Sequence, residues 1–236
     1  MELLTPIFPL EVVVYPGDEL NLHIFEPRYQ QLINDTVKTK KPFGIPAVVN
    51  KKLGGLGTTV ALNNVTNIKA DGQMDIKTVG QRIFRVVRWE KLYPGKLYSA
   101  AVVEYPEIDE TGDAALMRKI VIATKKLHGL LNVKKKLPKP ESKLTSYDLA
   151  HHVGLNLEQE YTMLGLFTED ERQKHLLRHL EQALPVVASM KSLKEKIQLN
   201  GHFRNLPGFD VKKIKMCGRY IIKQDLSELE KVVKFI

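Results

Sequence analysis

Two neighbouring stretches, Phe8-Pro9-Leu10-Glu11-Val12-Val13-Val14-Tyr15-Pro16-Gly17 and Leu20-Asn21-Leu22-His23-Ile24-Phe25-Glu26-Pro27-Arg28-Tyr29, decide how the chain reads. In the first, Glu11–Tyr15 is a β-branched run closed by Pro16-Gly17. Such residues fit a pleated, half-buried surface and a Pro-Gly pair punctuates it, so a strand ending in a turn is expected there. The second stretch leads into a helix at Pro27, because proline's fixed φ and missing N–H suit the first helical position. From Pro27 onward Tyr29, Leu32, Ile33, Thr36 and Val37 recur at the spacing of one helical face.

The same punctuation continues on the C-terminal side. Runs at Phe43–Val49, Thr58–Leu62, Met74–Val79, Ile83–Trp89 and Leu97–Tyr105 are separated by Gly, Pro and Asn. Met74-Asp75-Ile76-Lys77-Thr78-Val79 alternates as a half-buried strand requires. Asp71-Gly72 between Val65–Ala70 and Gln73–Val79 is a hairpin signal. From Asp109 the period becomes helical. Asp113 is placed to cap a helix striped by Leu116, Ile120, Ala123, Leu127 and Leu130. The basic loop Lys134–Pro140 ends it. Thr145 or Ser146 opens a short helix ending at Gly154, and Asn156 with Gln159 caps another ending near Gly165. Thr168 and Glu171 have capping-box spacing for a longer helix striped by Leu176, Leu180 and Leu184. Pro185 is expected to kink that helix or to start a new one through Val187, Met190, Leu193 and Ile197. Strands followed by helices, without βα alternation, read as an α+β chain: a β-rich sub-domain over 1–108, a helical one over 109–200 and a basic tail over 201–236.

Composition bounds the function. A chain of 236 residues, 43% hydrophobic and 27% charged, is long enough for a sizeable core and is neither disordered nor collagen-like. Its single cysteine cannot form an internal disulfide. Without a signal-peptide pattern at the N-terminus or an apolar run of membrane-spanning length, the cytoplasm is the expected location. The net charge of +9 divides unevenly: +2 over 1–108, +1 over 109–185 and +6 over 186–236. The body is nearly neutral, so a nucleic-acid reading depends on the basic end.

Catalytic signatures are missing. Gly54-Gly55-Leu56-Gly57-Thr58-Thr59 lacks the lysine of a phosphate-binding loop and is read as a flexible connection between strands. No nucleophile elbow or H-E-x-x-H pair occurs. Glu171, His175 and His179 share a helical face and have the spacing of metal ligands, but no fourth ligand lies near. The reading taken is a solvated face, with no metal and no cofactor. His151-His152 read as one surface and one semi-buried histidine, and Lys134–Lys136 as a solvated loop.

The stretches quoted first, F-P-L, a β-branched run, Pro-Gly and then L-x-I-F-E-P-R-Y, closely resemble the opening of the Lon N-terminal domain family. Phe43-Gly44-Ile45, the glycine segment to Gly57-Thr58, Val79-Gly80-Gln81-Arg82-Ile83-Phe84-Arg85-Val86 and the Thr168–Leu180 segment match in order, over roughly residues 3 to 200. The resemblance implies a PUA-like β pseudobarrel with one helix, followed by an α-helical bundle. It implies a non-catalytic, stand-alone substrate-binding role, since the family's ATPase and Ser–Lys protease modules have no counterpart here. Unfolded or degron-like polypeptide, an ATP-dependent protease and weak self-association are the partners it implies. Polypeptide is held by apolar grooves or by strand addition to a free sheet edge, and the candidate contact residues are Tyr15, Phe25, Glu26, Arg28, Tyr29, Phe43, Trp89 and Tyr93. The alternative to contact is an ordinary core position for the aromatics and a helix-start role for Glu26. The second functional reading is nucleic-acid binding through the PUA-like barrel and the basic end.

The tail is separate. Residues 216–236 open with Met-Cys-Gly-Arg and resemble the start of the SOS-response-associated peptidase family, whose N-terminal cysteine crosslinks abasic DNA. That chemistry needs a free α-amine, and Cys217 is internal, so no such activity is expected. Coincidence, a true extension with a docked Ser227–Phe235 helix, and a join to a neighbouring reading frame all stand as readings. The rare Met-Cys pair favours the join or a fusion remnant.

Overall fold

The computed structural model describes residues 3–199 and 221–222. The chain is a mixed α+β protein, β-rich first and helical afterwards, in two compact units. The first unit comprises residues 3–107, 156–165 and 221–222; the second comprises 108–155 and 166–199.

In the first unit the strands are β1 (Leu3–Pro6), β2 (Glu19–Ile24), β3 (Phe43–Val49), β4 (Lys52–Ile68), β5 (Met74–Glu90), β6 (Ala100–Glu104) and the two-residue β7 (Ile221–Ile222). The long strand β5 organises them. One of its edges pairs with β4 from Met74 to Arg85; the other is shared, with β2 along Met74–Val79 and β6 along Arg85–Glu90. A ring then closes. β6 pairs with β1, and the chain beyond β1 crosses to β3, where Ile7 bridges Gly44 and Leu10 bridges Ala47 in parallel. The Phe8 N–H donates to the Gly44 carbonyl at 2.8 Å and the Val48 N–H to the Leu10 carbonyl at 2.8 Å. With β3 on β4 and β4 on β5, the circuit is complete without β2. Closure removes edges that would otherwise leave backbone groups unpaired.

Glu11–Tyr15 is not a strand, although its residues favour one. The pairing is done one step earlier, by residues 7–10, and Val13, Val14 and Tyr15 satisfy their apolar preference by burial instead. Their backbone leans on β4 and β5: Thr58 Oγ1 donates to the Val14 carbonyl, and a Cβ on Gly80 would stand 2.1 Å from the Tyr15 carbonyl oxygen. The glycine run is likewise no loop. It lies inside β4, where a Cβ on Gly57 would meet the Ile45 carbonyl oxygen at 2.5 Å and the Phe84 ring at 2.6 Å. Close backbone approach, not flexibility, explains that glycine.

Helix α1 (Pro27–Thr39) starts at Pro27 as expected and ends at Lys40, which adopts φ 57° and returns its N–H to the Thr36 carbonyl. Tyr29, Leu32, Ile33 and Thr36 face the core beneath β2 and β3, while Val37 rotates outward at 38% exposure. Helix α4 (Leu157–Leu164) belongs to this unit. Asn156 and Gln159 form its capping box, the Tyr15 hydroxyl donates to the Glu160 carbonyl at 2.9 Å, and the Leu56 N–H donates to the Tyr161 hydroxyl at 3.2 Å.

The second unit holds α2 (Ala114–Leu130), a 3-10 turn (Glu141–Lys143), α3 (Ser146–Ala150) and α5 (Glu169–Leu199). Asp113 caps α2, accepting from the Ala115 N–H at 2.6 Å. Ile120 and Leu127 are buried as expected, but Met117, Val121, Thr124 and His128 share that face, and Leu116, Ala123 and Leu130 are only half-buried. The inward face is rotated because Thr124 returns its hydroxyl to the Ile120 carbonyl and His128 Nε2 reaches the His152 carbonyl, so both polar residues are satisfied inside. No new helix starts at Pro185; α5 runs through it. Met190 and Leu193, expected on a buried stripe, are 54% and 59% exposed, and the Ile197 side chain lies outside the described residues.

A charged hub ties the start of α5 to the rest of this unit. Glu169 and Arg172 are 4% and 1% exposed. Glu169 accepts from the Ser146 N–H (2.8 Å), the Ser146 hydroxyl (2.7 Å) and Arg172 Nε (3.0 Å). Arg172 Nη1 donates to the Leu166 carbonyl at 2.9 Å, and its guanidinium lies 4.4 Å over the Tyr147 ring. Burial, ahead of the opposed effects of Arg172 and Glu169, pushes the Tyr147 phenol up to about 12.

Candidate functional site

β2 is six residues of strict alternation. Leu20, Leu22 and Ile24 point into the core; Glu19, Asn21 and His23 point outward. Its register against β5 runs unbroken from Glu19↔Val79 to Ile24↔Met74. On its other edge, among the described residues, only Ile221 and Ile222 pair with it, parallel, at Asn21 and Leu22. Proteins protect such edges with proline, lysine, bulges or covering elements. β2 carries no proline, lysine or bulge. Among the described residues it is the open edge of the sheet, with two of its six positions paired on that side.

The residues around this edge are held in place. His23 Nδ1 lies 2.7 Å from Asp75 Oδ1 and Nε2 lies 3.2 Å from Gln73 Oε1. The His23 hydrogen bond, with smaller help from Asn67, holds the Asp75 carboxyl below its ordinary value. Phe25, the next outward residue, stacks on His23 at 6.2 Å and remains 39% exposed. Gln30 of α1 donates to the Phe25 carbonyl at 3.1 Å, fixing the corner where strand becomes helix. There Glu26 and Arg28 form a fork, with Nε and Nη2 at 2.8 Å and 2.7 Å from Glu26 Oε2. Glu26 Oε1 is buried and has no hydrogen-bond partner among the described residues. The edge thus ends in an exposed ring and an Arg–Glu fork.

The expected contact residues divide sharply. Phe25, Glu26 and Arg28 gather at the end of β2. Tyr15 and Phe43 are 0% exposed and Tyr29 is 7% exposed, so the structure places them in the core. Tyr29 stacks on Phe8 at 3.9 Å, and burial raises its phenol to about 12. Trp89 packs partly against Ile7, Phe84, Ala101 and Val103. Tyr93 packs beside Tyr98, rings 5.7 Å apart, in the loop after β5. That loop is pinned to α1: the Tyr98 hydroxyl donates to Asp35 at 2.9 Å and Lys96 pairs with Asp35 at 2.8 Å, lowering the Asp35 carboxyl. Asn21 and His23 were not singled out in the sequence, although the Leu20–Phe25 alternation is the signal that marks them.

The remaining sequence candidates do not converge. Glu171 accepts from the Thr168 hydroxyl at 2.7 Å and His179 Nε2 lies 3.1 Å from the Val153 carbonyl. Among the described residues no three His, Cys, Asp or Glu side chains are grouped to hold a metal ion. His151 is half-buried and His152 buried. A cavity of about 510 Å³ beside α2 is lined by Glu110, Asp113, Arg118, Glu141, Leu144 and Gln173 and contains none of the expected contact residues. Cys217 and the rest of 216–236, save Ile221–Ile222, lie outside the described residues. No helix of the described residues is long and apolar enough to cross a membrane.

Comparison with known proteins agrees with this architecture. No curated protein matches the sequence. The fold is similar to a Lon N-terminal domain protein from Xanthomonas campestris, at 23% identity and a TM-score of 0.58, over 75% of this chain and 98% of that one. It is also similar to the N-terminal domain of the Mycobacterium avium complex Lon protease, at 13% identity and a TM-score of 0.55, with the same coverage. At those identities the likeness speaks for the fold. Neither comparison supports the nucleic-acid reading, self-association or the SOS-peptidase resemblance of the tail. The family model of the ATP-dependent protease La (LON) substrate-binding domain matches residues 5–182, and the chain belongs to that family.

Proposed function

We propose that this protein is a non-catalytic recognition module that binds extended polypeptide, as a substrate selector or an adaptor for a proteolytic partner. The match of residues 5–182 to a substrate-binding domain carries the reading. The β2 edge gives it a physical means: main-chain hydrogen bonds along the edge supply sequence-tolerant affinity, and alternate side chains read the ligand. Phe25, at the end of that edge, offers a ring for an apolar side chain, and the Glu26–Arg28 fork offers both charges beside it. Such a surface suits unfolded segments, whose backbone groups are free.

Fluorescence anisotropy of labelled, unstructured peptides with the full chain tests this. Phe25→Ala is expected to weaken binding by about fivefold to thirtyfold, the scale of losing one aromatic contact at about 1–2 kcal/mol. Because the ring is partly exposed, the unfolding midpoint should hold. Failure of a varied peptide set to bind at high micromolar protein sinks the reading.

A further inference from the structure

The cavity of about 510 Å³ lies wholly within the helical unit. Its walls are the start of α2, the 3-10 turn Glu141–Lys143 with the residues just after it, and the first turns of α5. Ala114, Met117, Arg118 and Val121 fall at i, i+3, i+4 and i+7, so α2 turns one face toward it. Met117, Val121 and, from the segment after the turn, Leu144 are 8%, 2% and 8% exposed and supply the apolar part of the lining.

The polar groups of the lining divide into two sets. Three are already committed to the fold. Asp113 caps α2, Gln173 Oε1 accepts from the Asp113 N–H at 3.0 Å, and Glu169 is bonded to Ser146 and Arg172. The others are available. Among the described residues, Glu110 and Arg118 make no hydrogen bond or ion pair, and both are exposed. Glu141 is held only by Lys125, and both of those side chains are more than half exposed, so that pair exchanges at little cost. We propose that this cavity binds a small zwitterion with an aliphatic side chain, of the free α-amino-acid class. Arg118 donates to its carboxylate, Glu110 and Glu141 accept from its ammonium, and Met117, Val121 and Leu144 receive the side chain.

Size and charge select this class. The volume falls within the range of small-molecule sites, about 300–1,000 Å³. A simple anion would meet Arg118 but also two carboxylates, and a simple cation would meet the carboxylates but also a guanidinium. A ligand carrying both signs on a short apolar body satisfies all three charges. A guanidinium suits the carboxylate half because its planar fork matches two oxygens at once. The interior of a polypeptide carries neither terminal charge, so this ligand is distinct from the one read for the β2 edge.

Isothermal titration calorimetry of L-leucine into the full chain is the test, with leucinamide and N-acetyl-leucine as probes lacking the carboxylate and the ammonium charge. Leucine is expected to bind, and each analogue about tenfold more weakly, the scale of losing one charged hydrogen-bonding group. Arg118→Gln should weaken leucine by a similar factor and close its gap to leucinamide; Glu110→Gln should narrow the gap to N-acetyl-leucine. Both residues are exposed and unbonded among the described residues, so far-UV circular dichroism should not change. No binding at about 10 mM leucine overturns the proposal. So does binding that is equal for the three probes, or that both variants leave intact. Phe25→Ala, which reads the β2 edge, should not alter leucine binding, so either reading can fail without the other.

Discussion

Arg172→Met is the perturbation that most directly tests the account of the helical unit. Methionine keeps most of the buried volume, so the cavity contribution is small and the electrostatic loss dominates. The substitution deletes the contacts to Glu169 at 2.9–3.0 Å, to the Ser146 hydroxyl at 3.1 Å and to the Leu166 carbonyl at 2.9 Å. It leaves a carboxylate 4% exposed with only Ser146 and Gln173 as donors. Breaking a buried pair from one side costs about 3–5 kcal/mol, chiefly through the charge left behind. With an m-value of about 2 kcal/mol/M in urea, the midpoint of this unit should fall by roughly 2 M. Because the chain has two units, two probes are needed: far-UV circular dichroism for the helices, and the fluorescence of Trp89, the chain's one tryptophan, for the β-rich unit. Glu169→Leu combined with Arg172→Met should recover much of the loss, since paired apolar replacements of a buried ion pair are often neutral. A single-variant loss below about 1 kcal/mol, or strict additivity in the double variant, would refute the reasoning.

Three further outcomes are expected. Gly80→Ala should cost at least about 1–3 kcal/mol in urea unfolding, because its Cβ would stand 2.1 Å from the Tyr15 carbonyl oxygen and neither backbone can retreat. Tyr15→Phe should cost about 1–2 kcal/mol by leaving the Glu160 carbonyl without its hydroxyl donor at 2.9 Å. The helical unit should also lose stability in mild acid. Burial, then the positive charges of Lys135, His128 and His151, depresses the His152 imidazole to about 4. The unfolded chain takes up that proton near pH 6.5, so stability is full above that value and declines by on the order of 2 kcal/mol as pH falls toward 4. His152→Phe should flatten the slope across this window; an unchanged slope would assign it to other groups, His175 among them.

Local signals were the legible ones. Helix α1, the caps at Asp113, Asn156 and Thr168, and the hairpin at Asp71-Gly72 follow from chemistry within a few residues, and they were read correctly. Glu11–Tyr15 misled because β-branched residues are equally content in a packed, irregular segment when the neighbouring residues 7–10 already make the bridge. The glycine run misled because close approach of another backbone is invisible along the chain; only the Ile45 carbonyl over Gly57 discloses it. At the candidate site, the ordered motifs placed Phe25, Glu26 and Arg28 at one corner. The aromatic rule that added Tyr15, Tyr29 and Phe43 could not separate a core ring from a surface one. The edge itself was unreadable, because whether a strand has one neighbour or two is a property of the sheet.

The circuit that closes without β2 has a bearing on evolution. Strand β2 hangs from the edge of β5 over Met74–Val79 that lies opposite β4 and that the ring does not pair, so changes on its outward side leave the ring's own pairings intact. On the polypeptide reading, substitutions at Asn21, His23 and Phe25 change what this surface accepts while the bonded ring keeps its register. Such a division lets clientele drift quickly on a slowly changing frame. Among related chains, the outward positions of this one strand are where sequence divergence should concentrate.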